Sequence, residues 1–546
     1  MKRVTVMTAS KLTGTGALLR LNLRHDWLKI VYWWIALIGL MTAAAVKFDG
    51  MYGTTKAMNS IITTLKTPAM VSLLGPFTGT KPYTVAMVYG AEMMVFMGLF
   101  AAMMNLYFAV HATRMQEDDG TTELLLAHAV GRQSPLVAAI GELVFINLGA
   151  GVLEALVLQF AGMSGANAAG NWLFGLGLAA FGFMFGVFAL FFSQIVNNGR
   201  SATILSYIFL AVLFIARMGT DVQNPKYTWW TIFGWIEKMK LYTGNDWTPV
   251  WMMLILSVVM LIVTVLVAVR RDIGAGIVAP RNGRKTASVW LRGPITLLMR
   301  LDRVSTAIWL IGLALFGASY GSIFGTVGDL VKTNPTLGQL LGSAAVKSAN
   351  KTIILGLANK LTIIFVVVAS IPPLMTLLKL NTDDKKGYLE AVHAKPVSRL
   401  RLFITYTGHA LAVGTVSFAL AIYGMAFAGQ QSMAYMPVSV GQLMRGFVGF
   451  WPALLVVCGI AAVLVGALPK VQSVVWILPI YGVFSLYIGA LLDLPKWAQR
   501  ISPYGWVNSV PSHAVNWTTF SWMTVLGIIL LMIGYGCYRR RDLTMN

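Results

Sequence analysis

Apolar and polar stretches alternate along this chain on a long scale, giving twelve apolar runs of roughly 20 residues, each able to cross about 30 Å of hydrocarbon as a helix. The runs cover 30–46, 86–110, 136–160, 171–196, 202–219 and 250–269, then 304–325, 361–380, 402–428, 446–468, 473–492 and 521–538. An even number of crossings puts both termini on one side. The opposite side carries four long connections, 47–85, 220–249, 326–360 and 493–520.

The second six runs repeat the first six, and short matches hold a nearly constant spacing. RHD from Arg24 answers RLD from Arg300, PAMVSLLG from Pro68 answers PTLGQLLG from Pro335, and FGW from Phe233 answers YGW from Tyr504. Toward the ends, NDW closing at Trp247 answers VNW closing at Trp517, and RRDI from Arg270 answers RRDL from Arg540. The chain therefore divides into a first half, 1–270, a polar linker with an interfacial helix, 271–303, and a second half, 304–546. Because each half holds an even number of spans, the two insert in the same orientation, related by a pseudo-two-fold axis along the membrane normal. A transport pathway is expected between them. Before each first span, ALLRLNLRHDWLKI from Ala17 and VWLRGPITLLMRLDR from Val289 mix Leu and Trp with Arg, as helices lying in the headgroup plane do.

Composition agrees with a membrane solvent: 57% of residues are hydrophobic and 11% charged, against about a quarter charged in an ordinary soluble domain. The 42 Lys and Arg outnumber 20 Asp and Glu, for a net charge of +22. In a soluble protein that excess suggests nucleic acid. Here most cations fall on the side of the termini, which the positive-inside rule makes cytoplasmic, so no nucleic-acid partner is needed. The densest groups, Arg270 with Arg271 and Arg539 with Arg540 and Arg541, follow spans directly, where they meet anionic lipid headgroups. Residues 1–16 lack the apolar core of a signal peptide, so the first span is expected to direct insertion. Two cysteines inside apolar runs, Cys458 and Cys537, supply neither a disulfide framework nor a thiolate metal site.

The most informative stretch is EDDGTTELLLAHAVGR at 117–132, answered by DKKGYLEAVHAKPVSR at 384–399. In each, a Gly (Gly120, Gly387) precedes a Glu by three residues (Glu123, Glu390), and an Arg (Arg132, Arg399) follows the Gly by twelve. The spacing predicts a short helix with Gly as N-cap, the Glu reaching back to the cap N–H, the acids Glu117, Asp118, Asp119 and Asp384 near its positive end, and the Arg at its other end. Leu124 to Leu126 and Ala391 to Val392 add apolar side chains to a loop otherwise in water, which suits a partner surface. The alternative is a capped turn resting on the membrane.

These loops resemble the coupling-helix loop between spans two and three of ABC-2-type exporter permeases. The resemblance extends to the lead-in helix before each first span, the long outer segment before span six and the RRD that closes each half. A double-length chain of this kind is similar to the branch of polyketide-antibiotic exporters, including polyether-ionophore resistance transporters. It implies an all-α polytopic membrane protein of twelve transmembrane helices, arranged as two six-helix ABC-2-type repeats in a bacterial plasma membrane. It also implies two copies of a separate ATPase, docked through the two loops and carrying ATP and magnesium, and a hydrophobic small-molecule substrate. The second loop departs from the pattern, with Lys385 and Lys386 in place of acids and Tyr388 in place of Thr121.

No phosphate-binding GxxxxGK[ST] loop occurs, and the six histidines are scattered, with no zinc or nucleophile spacing, so the chain is read as a permease subunit and not an enzyme, with no cofactor and no metal of its own. Within the spans, Glu92, Glu142 and Glu154, with Asn359 and His409 opposite the first two in the repeat, are candidates for a polar pathway or gate. Helix–helix hydrogen bonding or snorkelling to an interface is the plainer reading of the same residues. Rival readings are a proton-coupled secondary carrier, an exporter of a lipid or hydrophobic peptide, and a membrane-embedded lipid-modifying enzyme.

Overall fold

The computed structural model describes residues 11–278, 285–322, 324, 335–433, 437–488, 495–507 and 510–541. No strand occurs among them, and eleven helices are long and apolar enough to cross a membrane. The chain forms two compact units, 1–283 and 284–546, each described here by itself.

The first unit contains α1 (Thr15–Tyr52), α2 (Thr55–Leu65), α3 (Pro68–Leu74), α4 (Val85–Asp118), α5 (Thr121–Leu126), α6 (Ser134–Ala161), α7 (Ala168–Ile195), α8 (Gly199–Gln223) and α9 (Thr248–Arg270). Polar caps fix where the spans begin. The side chains of Thr84, Asn167 and Asn198 accept the backbone N–H of Met87, Gly170 and Ser201, at 3.4, 2.7 and 2.7 Å. Gly162, with φ of 64°, ends α6 in the left-handed conformation that glycine adopts without steric cost. The centre is α7, packed by α4, α6 and α9, with Leu173, Phe174, Phe181 and Phe185 buried. A side chain at Gly175 would put its Cβ 2.2 Å from the carbonyl oxygen of Gly151, so α6 and α7 approach at backbone distance.

The second unit has the same succession: α10 (Pro294–Ser322), α11 (Pro335–Ala369) with α12 (Ile371–Lys385), α13 (Glu390–His393), α14 (Arg399–Ser432), α15 (Val440–Ala467) and, at the end, α16 (Trp517–Arg540). Neighbours repeat too. The first span packs on the third and the fourth on the sixth in both units. A Cβ at Gly317 would lie 1.9 Å from the Ala421 carbonyl oxygen, which marks the closest crossing, between α10 and α14. The outward faces of α9 and α16 keep Trp251, Ile255, Ile262, Val525 and Met532 exposed, the pattern of a surface solvated by acyl chains.

Three expectations change. The lead-ins at 17–30 and 289–303 do not lie apart as surface helices; the first, and the second from Pro294 onward, run without a break into α1 and α10, α1 being 38 residues long and so about 57 Å. Nothing between lead-in and span breaks the helix, since neither Gly nor Pro falls in 17–38 or 295–311. The run 473–492 is not one α-helix: a 3-10 turn at Gln472–Trp476 leads to α-helix at Ile477–Val483 and a π-turn at Phe484–Ile488, and 489–494 lie outside the described residues. Pro479 removes one backbone donor there and favours the first turn of a helix, so the α-helix restarts just before it. The connection 47–85, for which the pattern names no element, continues α1 to Tyr52 and then holds the two short helices α2 and α3.

Candidate functional site

At the end of α4 the backbone loosens into a π-turn, His111–Met115, and Arg114, wholly buried, turns back on the acids that follow it. Its guanidinium meets Glu117 at 2.7 Å and Asp118 at 3.7 Å and donates to the carbonyl oxygen of Gly274 at 2.6 Å. Glu117 also pairs with Arg271, one residue past α9, and Arg271 donates to Gln194 at 2.7 Å. Asp118 accepts the Gly199 N–H at 2.5 Å and so caps α8. One carboxylate thus ties the end of the second span to the end of the sixth, and its neighbour ties it to the start of the fifth.

From this clasp projects α5. Gly120, with φ of 72°, is its N-cap as expected, Thr122 is its buried anchor, and Asp119, Glu123 and Leu124 face outward, Leu124 being 67% exposed. The expected capping box does not form. The Gly120 N–H is taken by the Glu117 carbonyl oxygen at 3.1 Å, and Glu117 and Asp118 belong to the preceding helix rather than to the positive end of α5. Arg132 does not complement the end of α5 either; it donates to the Arg271 carbonyl oxygen at 2.7 Å and closes the end of α9.

The second unit builds the same clasp from different partners. Arg541 pairs with Asp384 at 2.7 Å and donates to Asn381 at 2.6 Å, while Arg399 donates at 2.7 Å to the carbonyl oxygens of both Arg539 and Arg541. Asp383 accepts the Tyr406 hydroxyl at 2.7 Å. Gly387 is again left-handed, with φ of 72°, but it is not the N-cap expected of it: α13 is capped by Leu389, two residues later, and begins at Glu390. Pro396 biases Lys395 away from helix and keeps α13 to four residues against six in α5. Glu390 and Tyr388 face outward, Tyr388 being 64% exposed. Arg114, Gln194, Arg271, Asn381 and Arg541 are parts of these clasps that the loop motif alone does not announce; the RRD repeats, spaced like the loops, are the signal that joins them.

The intramembrane candidates share no partner with one another. Glu92 accepts the Tyr52 hydroxyl at 3.4 Å. Glu142 and Glu154 are buried, and their carboxylate oxygens make no hydrogen bond among the described residues. Glu142 lies by Asp26 and Lys29, whose ion pair is 2.5 Å long, with His111 3.2 Å from the ammonium; Glu154 stands alone of cations. His25, Asp26 and His111 bring three ligand-type atoms within 4.8 Å of one another, but the Lys29 ammonium supplies the positive charge there. In the second unit His409 is 3.5 Å from the Thr306 hydroxyl, beside the Asp302–Lys379 pair, and the Asn359 side-chain oxygen is buried without a partner among the described residues. Among the described residues, each unit therefore pairs a carboxylate with a lysine within its first three spans, with Glu142 and His409 at equivalent positions beside the pair.

At the other end of the first unit, near the end of α8, stands a buried cation. Arg217 on α8 is fully buried, pairs with Glu237 and, at 3.2 Å, with Asp221, and donates to the carbonyl oxygens of Ser72 and Leu73 at 2.8 and 3.0 Å. Burial pushes the Glu237 carboxyl up to about 8, against the opposing pull of Arg217. Both cysteines are free.

Residues 291–539 match the profile of the family described as "Multidrug efflux system permease Rv1217c, C-terminal domain". The chain is also 28% identical, over 542 residues covering 98% of its length and 96% of the relative, to the "Multidrug efflux system permease protein Rv1217c" of Mycobacterium tuberculosis. The likeness thus spans both units and both clasps of this all-α, multi-pass membrane protein, and the chain is similar throughout to a protein named as an efflux permease.

Proposed function

We propose that this chain is the permease subunit of an ATP-driven exporter in a bacterial plasma membrane, with both termini cytoplasmic, and that α5 and α13 each dock one copy of a separate cytoplasmic ATPase. The observation that carries the reading is the duplicated clasp: two short helices, each bolted at matched positions to the ends of the second and sixth spans, each presenting one carboxylate and one exposed apolar or aromatic side chain. Such a lever passes a push on the short helix to two spans at once, because the carboxylate that holds it is shared between them. ATP and magnesium belong to the partner in this scheme. The full-length likeness to a protein named a multidrug efflux permease supports export of drug-like compounds of more than one kind. Polyketide and polyether ionophores, to which the loop resemblance points, are members of that wider hydrophobic or amphipathic class.

The test is reconstitution. The chain coexpressed with its neighbouring ATPase is expected to copurify with it and to move a lipophilic substrate in proteoliposomes only with ATP, vanadate abolishing transport. Transport by the chain alone under a proton gradient without ATP would overturn the proposal in favour of a carrier, for which Glu142 and Glu154 would be the proton sites.

A further inference from the structure

Beside the first clasp lies a cavity of about 230 Å³, floored by Leu126, Leu136, Val137, Val265, Val269 and Ile273 and rimmed by Lys11, Arg132 and Arg271, with Glu117 as its acid. The parts come from four places in the sequence. Residues 11–13 are held against the start of α6 by backbone bonds, Gln133 N–H to the Lys11 carbonyl oxygen at 3.2 Å and Gly131 N–H to that of Thr13 at 2.9 Å. That contact fixes Lys11 over the cavity mouth. Its side chain is exposed, and so is that of Arg132, which spends one nitrogen on the Arg271 carbonyl oxygen. The single carboxylate is already neutralised, shared between Arg114 and Arg271 and further bonded by the Gly274 N–H at 3.3 Å. The rim is therefore an anion site over an apolar floor.

The position decides what kind of anion. Val269 lines the cavity and is itself exposed, on the same helix as the exposed Ile262 and Leu266, so the floor is continuous with the face of α9 that meets acyl chains. Arg270 and Arg271 mark where that helix leaves the hydrocarbon. A soluble phosphate would satisfy the rim and leave the floor wet. A glycerophospholipid with a net negative headgroup satisfies both, its phosphate between Lys11 and Arg132 and its glycerol and upper acyl carbons on Val137 and Val265.

We propose that the first unit holds one anionic phospholipid in this cavity, bridging the N-terminal segment, α5 and the end of α9. The inference does not rest on the exporter reading, because it needs only the cavity, its charge and its contact with the bilayer. The experiment is native mass spectrometry of the purified full-length chain, titrated with phosphatidylglycerol, with phosphatidylcholine or with inorganic phosphate. One phosphatidylglycerol per chain is expected to be retained preferentially over phosphatidylcholine, and millimolar phosphate is expected not to displace it. Lys11→Ala, at an exposed position, is expected to weaken retention about fivefold, the weight of one cation near a bilayer surface. Val137→Trp, which fills the floor and leaves every charge in place, is expected to weaken it as well. Equal retention of the two lipids, displacement by phosphate, or unchanged binding in both variants would overturn the proposal.

Discussion

Arg217 shows how far a single side chain can be committed. One guanidinium, without contact to solvent, serves two carboxylates and the two carbonyl oxygens of Ser72 and Leu73 at the end of α3. Replacing it by Ala leaves a buried Asp221 and Glu237 facing each other, and the expected loss is about 3–5 kcal/mol of stability, read as a lower melting temperature. The pH response follows from Glu237, whose carboxyl burial raises from 4.5 to about 8. The folded chain then keeps a proton that the unfolded chain releases near 4.5, so this group's contribution is complete below that pH, is lost as pH rises through 8 and is flat above. Melting of the detergent-solubilised protein from pH 5 to 9 is expected to show that fall, and Glu237→Gln, which cannot titrate, to flatten it. An equal slope in both proteins would assign the titration to another group. Only part of this was legible in the sequence: Asp221 stands at the i,i+4 spacing of a helical ion pair with Arg217, but Ser72 lies 145 residues upstream and Glu237 20 downstream. Local spacing carries no trace of those two contacts.

At the scale of elements, what was legible depended on whether the determining contact was local. Most span positions, Gly120 as N-cap and the existence of two short helices follow from runs and caps within a few residues, and these the pattern conveys, whereas the cap expected at Gly387 falls instead on Leu389. The roles of Glu117 and Arg132 do not, because the end of α9 lies about 140 to 150 residues away and competes successfully for both. The clasp predicts its own failure. Arg271→Ala is expected to raise amide hydrogen exchange across 116–132 by about tenfold or more, since Glu117 then keeps Arg114 alone of its two arginines and loses its side-chain tie to the end of α9, and Arg541→Ala to do the same across 383–399. Unchanged exchange would mean that backbone contacts hold the loops unaided. The two levers also differ in kind, six helical residues in α5 against four in α13, with Lys385 and Lys386 beside the second. Glu123→Ala and Glu390→Ala are therefore expected to lower ATP-coupled transport unequally with membrane insertion intact; matched losses would remove the asymmetry and leave the permease reading in place.

For the whole molecule the decisive fact is what the membrane interior lacks. Among the described residues of the long helices, the buried ionisable groups are few, and most already have partners: Asp26 with Lys29, Arg114 with Glu117, Arg217 with Asp221, Asp383 with the Tyr406 hydroxyl. Glu142 and Glu154 are left, one near a lysine and one not. Such an interior has little to offer a multiply charged solute, whose desolvation at mid-membrane costs several kcal/mol per charge. A bulky lipophilic molecule enters from the bilayer already stripped of water and asks only for apolar, adaptable contacts, which the Met-rich helix α4 supplies with Met94, Met97 and Met104 buried along its length. The expected outcome is that a sensitive host expressing this chain with its ATPase gains tolerance to lipophilic drugs, polyether ionophores and other polyketides among them, and little to hydrophilic antibiotics. An ATPase-dead partner supplies the control. Protection confined to small polar drugs would refute the substrate class, and protection that persists with the dead ATPase would refute the energy source instead, so the two failures separate the two claims.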